Sequence, residues 1–321
     1  MIREAIMNLI YVFLAAIFFS SMEVAIKLSG GAFNPIQLNL LRFFIGALIL
    51  YPISKRELKK ADYKLKKDDY IGFAITGLLC IVFAMTCYTL SVYYLDAHVA
   101  GILFCSNTFF SMILGHLFTK EKISKNVFIG IVIAFIGFLV LINPLNFKGS
   151  LFGFIVNILS AFSFSLYSLV GKKLNAHKPI KSPTITSFTF LFGCVELLIL
   201  VLVSRISSVS EFFMGIGLDK FASIPIISGI NKDNILILLY IAIFVTGMGF
   251  ACHFFAVEKN PIAISSLVFF IKPILAPIFS LIFLKERIST NEIIGVILIA
   301  IASSIIFMEK RNLEKRVSLE N

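Results

Sequence analysis

"FTKEKISKNVFIGIVI" (118–133) and "FLKERISTNEIIGVIL" (283–298) are two versions of one pattern, 165 residues apart. Glu121 aligns with Glu286, Ser124 with Ser289, Asn126 with Asn291 and Gly130 with Gly295. A looser match pairs "AIFFSSMEVAIK" (16–27) with "AFSFSLYSLVGK" (161–172) at an offset of 145. Self-similarity at a fixed offset marks a chain built from copies of one unit. The copies divide this chain into residues 1–145 and 146–321.

What surrounds the pattern decides the fold class. A helix needs roughly 20 apolar residues to cross a hydrocarbon layer about 30 Å thick. Ten stretches meet that need, at 4–28, 36–53, 70–93, 97–118, 126–143, 150–173, 184–204, 233–255, 261–284 and 291–308. Unpaired backbone cannot face lipid, so these are helices and not open strands. Five crossings per copy is an odd number, so the second copy must run through the membrane upside down relative to the first. The reading is an all-α polytopic membrane protein: ten transmembrane helices as two inverted five-helix repeats.

Composition agrees. The chain is 59% hydrophobic and only 15% charged, where a soluble domain carries about 25% charged residues. A net charge of +11 does not imply nucleic acid, because the basic residues fall between the apolar runs, where membrane proteins place them. With the N-terminus cytoplasmic, Arg3, seven basic residues between 55 and 67, Lys120, Lys122, Lys125, Lys172, Lys173, Lys178, Lys181, Lys259, Lys310, Arg311, Lys315 and Arg316 lie inside. Lys27, Lys148, Arg205, Lys220, Lys232, Lys285 and Arg287 lie outside. The excess predicts both termini in the cytoplasm of a plasma membrane. Heavy use of Asn, Lys, Ile and Phe with no Trp reads as a bacterial chain. The five cysteines sit inside apolar runs without metal-type pairing and read as small hydrophobes. The long connection at 205–232, with "SSVSEFFMGIGLDKF" (207–221), is either an interfacial segment or a lid.

The two signatures, Gly130 and Gly295 behind them, Pro273, and Arg42 in "LLRFFIGALIL" together resemble the ten-helix, EamA-type branch of the drug/metabolite transporter superfamily. The resemblance covers nearly the whole chain and implies transport of a small molecule across a bilayer. Where that family often has a tryptophan in its first helix, Phe19, Ser20 and Ser21 stand here. Glu23, followed by Val24 and four residues on by Lys27, also resembles the first helix of the small multidrug resistance proteins, whose glutamate exchanges protons for cationic substrate.

Candidate site residues are the polar groups placed where they are expensive. Lys272 lies near the centre of the ninth span, where a lysine costs about 2.5–3.5 kcal/mol on insertion scales. It must face the bundle interior with a carboxylate or an anion, and the available carboxylates are Glu23 and Glu196. Glu23 could alternatively pair with Lys27 at the outer interface. Pro273 and Pro277 remove backbone donors beside Lys272. Tyr88, Asn107, Ser163, Tyr167 and His253 are further polar candidates at cavity depth, with Phe104 and Phe269 as walls. Asn107 is the repeat partner of Lys272. His98 and His116, near helix ends, are expected to be wet. Glu121 and Glu286 read as residues of structural turns, and Ser289 with Glu292 as a capping box opening the last helix.

No phosphate-cradling loop, H-E-x-x-H or G-x-S-x-G motif is present, so neither an enzyme nor a nucleotide-driven pump is expected. No cofactor and no resident metal is expected either. The implied partners are a small-molecule substrate and the lipid bilayer, not nucleic acid, with the protein a monomer or homodimer. A cavity holding both a positive and a negative side chain suits export of amino acids or similar zwitterions, with Glu23 or Glu196 available for proton coupling. Transport of organic cations, or a lipid scramblase without a solute cavity, are the alternatives.

Overall fold

The computed structural model describes the backbone of residues 2–119, 123–143, 149–175, 178–259 and 262–320. Side chains are described for 9–118, 123–143, 149–174, 178–256, 268, 271–309, 311 and 312. Among these residues the chain forms helices and connections, with no strand.

Ten helical rods follow the apolar stretches. α1 runs Ile2–Ser20 and resumes as Met22–Leu28; α2 is Pro35–Lys60; α3 is Lys67–Tyr94. α4 comprises Ala97–Phe104 and Asn107–Thr119; α5 is Lys125–Ile142; α6 is Leu151–Asn175; α7 is Ser182–Val203. α8 runs through Ile235–Leu239, Tyr240–Met248 and Gly249–Lys259; α9 through Ile262–Phe279 and Ser280–Leu284; α10 is Thr290–Glu320. Large apolar side chains such as Phe13, Leu117, Phe135 and Leu236 point outward, as lipid-facing surfaces require.

The serines of the repeated signature do the same job at opposite ends of the bundle. Ser124 caps α5 by accepting from the Val127 amide at 3.3 Å. Ser289 and Glu292 form the expected box: the Ser289 amide donates to Glu292 at 2.5 Å and the Glu292 amide to Ser289 Oγ at 3.3 Å. Glu121, the partner of Glu286, lies outside the described residues. The glycines behind the caps let α5 and α10 approach closely. A methyl on Gly295 would lie 2.7 Å from the Gly137 carbonyl oxygen, and one on Gly130 would lie 2.6 Å from Ile306.

The packing has the pairing that two related halves require. α1 rests on α8 and α9, and its counterpart α6 rests on α3 and α4. α2 packs on α7, α5 on α10 and α4 on α9, each helix against its own repeat partner. α3 and α8 both carry π-helical turns, over Leu78–Met85 and Tyr240–Met248. A threonine closes each one: Thr86 donates to the Ile81 carbonyl at 3.3 Å and Thr246 to the Ile241 carbonyl at 2.9 Å. Such turns commonly mark functional sites.

The 204–234 connection forms a helix at Ser207–Gly215 and is tied down to the start of α2. Asn34 donates to the Lys220 carbonyl at 2.8 Å, and Gln37 to the Ser228 carbonyl at 2.8 Å.

The glycine contacts yield a test of the α5–α10 seam. Gly295→Ala forces a methyl against backbone and should destabilise the protein by about 1–3 kcal/mol, the usual overpacking cost. Gly215→Ala, which meets no atom within 4 Å, should leave the melting temperature in detergent unchanged. Equal melting of the two variants would contradict this packing.

Candidate functional site

The two costliest residues in the sequence find each other. Lys272 Nζ lies 2.6 Å from Glu23 Oε1, joining α9 to α1 across the two halves. Glu23 is 1% exposed and Lys272 5%. Glu23 therefore pairs with Lys272 and not with Lys27. Tyr88 on α3 completes a triangle: its hydroxyl donates to Glu23 Oε1 and accepts from Lys272 Nζ at 3.1 Å. The ammonium also stands 5.3 Å from the Tyr88 ring centre and 5.4 Å from that of Phe104, within cation–π range. Gly101 makes the room, since a methyl there would sit 3.1 Å from Glu23 Oε1. Glu23 Oε2 is buried without a hydrogen bond.

Backbone irregularities converge on this triangle. α1 is interrupted at Ser21, two residues before Glu23, where the Ser21 hydroxyl bonds the Phe18 carbonyl at 2.9 Å and Tyr240 at 2.8 Å. α4 breaks at Cys105–Ser106, between Phe104 and Asn107. Pro273 and Pro277 follow Lys272 within α9. Broken helices at mid-depth are tolerated where they line a cavity.

That cavity holds about 50 Å³ and draws on seven helices. Arg42, Tyr88, Phe104, Asn107, Thr246 and Lys272 give it its chemistry. At that size it has room for water but not for a metabolite. Arg42 was not among the site residues expected from sequence, although an intramembrane arginine carries the same signal as Lys272. It is 2% exposed and bonded to neutral groups: Asn39 Oδ1 at 2.9 Å, Met22 Sδ at 3.2 Å and Thr89 Oγ1 at 3.5 Å. Asn39 and Thr89 bond each other at 2.8 Å, which fixes the cradle. Both cations reach the cavity wall, whereas Glu23 sits behind Tyr88 and Lys272.

The other candidates distribute unevenly. Asn107 lines the cavity opposite its repeat partner's position, its amide bonded to the Phe104 carbonyl at 2.5 Å. Ser163 instead bonds the Leu79 carbonyl at 2.9 Å, supporting the π-helical turn of α3. Tyr167 bonds Thr186 at 3.3 Å and packs on Phe164, one layer behind the wall. His253 lies beside Phe19, 6.1 Å between ring centres, off the cavity. Glu196 does not reach Lys272; its Oε2 abuts Gly77 at the α3–α7 seam, without a hydrogen bond. The Phe269 side chain lies outside the described residues.

His98 corrects an expectation. It is wholly buried, not wet, because the turn between α9 and α10 (285–289) folds over it. Its Nδ1 lies 2.8 Å from Glu286 Oε2. Glu286 also accepts the Ala97 amide at 3.0 Å, capping α4 from the other half, and the Ser280 hydroxyl. Burial would raise its carboxyl pKa, but these donors overrule it and hold the group at about 2.

A two-repeat apolar bundle with discontinuous helices and buried charges at its centre is the architecture of a secondary transporter. The chain belongs to the EamA-like transporter family, whose pattern matches residues 6–143 and 151–308. An uncharacterized transporter of Clostridium kluyveri is 31% identical over 304 residues, 92% of this chain and 91% of that protein. A Salmonella typhimurium protein named "Probable amino-acid metabolite efflux pump" is 28% identical over 158 residues, 49% of each chain. A solved crystal structure superposes with a TM-score of 0.64 at 15% identity, covering 96% of this chain and 98% of that one. At that identity the likeness is one of fold alone.

The ion pair makes a non-additive prediction. Removing one partner of a buried pair typically costs about 3–5 kcal/mol, while replacing both costs far less. Glu23→Gln and Lys272→Met should each lower the melting temperature sharply, and the double variant should melt closer to the wild type than either. Additive losses would show that the two charges do not interact.

Proposed function

We propose that this transporter moves amino acids or similar small zwitterions, in the export direction, with both termini cytoplasmic. The observation that carries the reading is the charge arrangement around the cavity: Arg42 and Lys272 on its wall, with one carboxylate, Glu23, behind them. With Lys272 neutralised by Glu23, Arg42 remains uncompensated in an apolar setting. A substrate carboxylate satisfies it, since a guanidinium fork suits a planar carboxylate. When the pair opens, Glu23 with its unbonded Oε2, and the aromatic faces of Tyr88 and Phe104, offer a place for an ammonium. A zwitterion answers both demands without leaving a charge unpaired in low dielectric.

Two positive groups on the wall speak against organic cations as substrates. The enclosed position of the polar cluster speaks against a scramblase groove. The name carried by the Salmonella relative adds support for amino-acid efflux. The cytoplasmic termini follow from the excess of Lys and Arg on that side. Proton coupling is assigned to Glu23, whose protonation would release Lys272 and break the contact between halves. Movement is by rocking of one repeat against the other, since the closed cavity is too small for a solute.

Counterflow of radiolabelled amino acids in reconstituted vesicles tests the assignment. Arg42→Gln removes a charge-assisted contact to the substrate carboxylate worth about 1.5–3 kcal/mol, so apparent affinity should fall by about 10–150-fold. Wild-type protein that exchanges quaternary amines but no amino acid would overturn the reading.

A further inference from the structure

The connection between α7 and α8 is braced against the rim of the bundle. The Ser223 amide donates to the Ser204 carbonyl at 2.9 Å and the Ile224 amide to Ser204 Oγ at 3.0 Å, at the end of α7. At the start of α2, Asn34 donates to the Lys220 carbonyl, and Gln37 to those of Ile226 and Ser228. Ile224 is wholly buried beneath these bonds. Among the described residues no hydrogen bond from the segment reaches α4 or α9, which bring Phe104, Asn107 and Lys272 to the cavity. That bracing suits a fixed element and not a hinged lid.

Its helix, Ser207–Gly215, presents separate stripes, because residues three and four apart share a face. Ser210 and Phe213 face the protein: Ser210 is buried and bonds Ser223 at 2.9 Å, and the Phe213 ring stacks on Phe221 at 5.7 Å. Ser208, Glu211 and Gly215 form an exposed polar stripe. Between the two run Val209, Phe212 and Ile216, and Phe212 and Ile216 are each more than half exposed. Met214, also exposed, stands on the opposite edge beside Ser207.

The flanking residues say what covers the apolar stripe. The chain leaves α7 through Leu202, Val203 and Ile206, all exposed, and enters α8 at Leu236, exposed as well. Those side chains belong to the outward surface that meets acyl chains, and the stripe continues it around the end of the bundle. Residues 204–234 carry Arg205, Lys220 and Lys232 against Glu211, Asp219 and Asp233, so attraction to a lipid surface rests on apolar burial and not on net charge.

We propose that this segment is a membrane-interface anchor, with Val209, Phe212 and Ile216 set into the boundary between headgroups and acyl chains, in the leaflet away from the N-terminus, and the Glu211 stripe in water. Interfacial helices bury such a face about 5–10 Å into that boundary. Because the segment is bonded both to the end of α7 and to the start of α2, it holds one helix from each half at a fixed depth in the bilayer.

The chain contains no tryptophan, so a single introduced one reports alone. Full-length Phe212→Trp and Glu211→Trp proteins in phosphatidylcholine nanodiscs are compared by emission maximum, by quenching with lipids brominated on the acyl chain and by quenching with iodide. Phe212→Trp should emit at shorter wavelength, lose intensity to brominated lipid and be shielded from iodide, equally so in discs containing anionic lipid. Glu211→Trp, one residue away, should emit at longer wavelength and be quenched by iodide alone. Both positions are exposed, so melting temperatures should match the wild type, and Ile216→Trp repeats the measurement on the same stripe. Phe212→Trp and Ile216→Trp quenched by iodide and not by brominated lipid would place the stripe in water and overturn the proposal. Shielding from both quenchers would place it under another protein surface, such as a second copy of this chain, and would overturn it too.

Discussion

A carboxylate and an ammonium buried at mid-depth in an apolar bundle cannot stand apart. Taking either charge out of water costs several kcal/mol, and only a close opposite charge with good hydrogen bonds offsets it. The Glu23–Lys272 contact at 2.6 Å therefore fixes where α1 and α9 meet. Tyr88 is drawn in because Glu23 Oε1 and Lys272 both need a hydroxyl, and Gly101 is small because Glu23 leaves no space for a side chain. The pair also joins the two halves, since Glu23 belongs to the first and Lys272 to the second.

The site is asymmetric on a symmetric frame. The repeat alignments place Asn107 opposite Lys272 and Ser168 opposite Glu23. Each half thus contributes one charge where the other half has a neutral polar residue. Asn107 and Ser168 both turn to backbone carbonyls, at 2.5 and 3.0 Å, and demand nothing from the centre. The frame itself keeps its symmetry in the paired π-helical turns and in the caps of α5 and α10. One scaffold used twice can in this way enclose a site with a positive and a negative pole.

Much of this was legible in the residues alone, and the boundary is physical. Spans follow from apolar length, which one residue hardly changes, so ten helices were readable from composition. Lys272 was legible because a charge at mid-span has no neutral explanation, and Glu23 because few carboxylates were within reach. Glu196 carried the same signal but faces α7's other neighbour, a matter of helix rotation that no local pattern encodes. Arg42 was visible as a charge and unassigned, because its cradle of Asn39, Met22 and Thr89 comes from three helices. The break of α1 at Ser21 has no Pro or Gly to announce it. His98 looked solvated because its cover is supplied by a turn 188 residues away.

The proposed zwitterion would place its two ends on opposite charges, the carboxylate on Arg42 and the ammonium on Glu23. The most direct measurement is the affinity of the purified protein for a matched series: one amino acid, its carboxamide lacking the acid, and its deaminated acid lacking the amine. The intact zwitterion should bind and both truncated forms should bind at least tenfold more weakly, since each leaves one buried charge unanswered. Equal binding of the carboxamide and the intact amino acid would contradict this arrangement, for then Arg42 does not meet the substrate carboxylate.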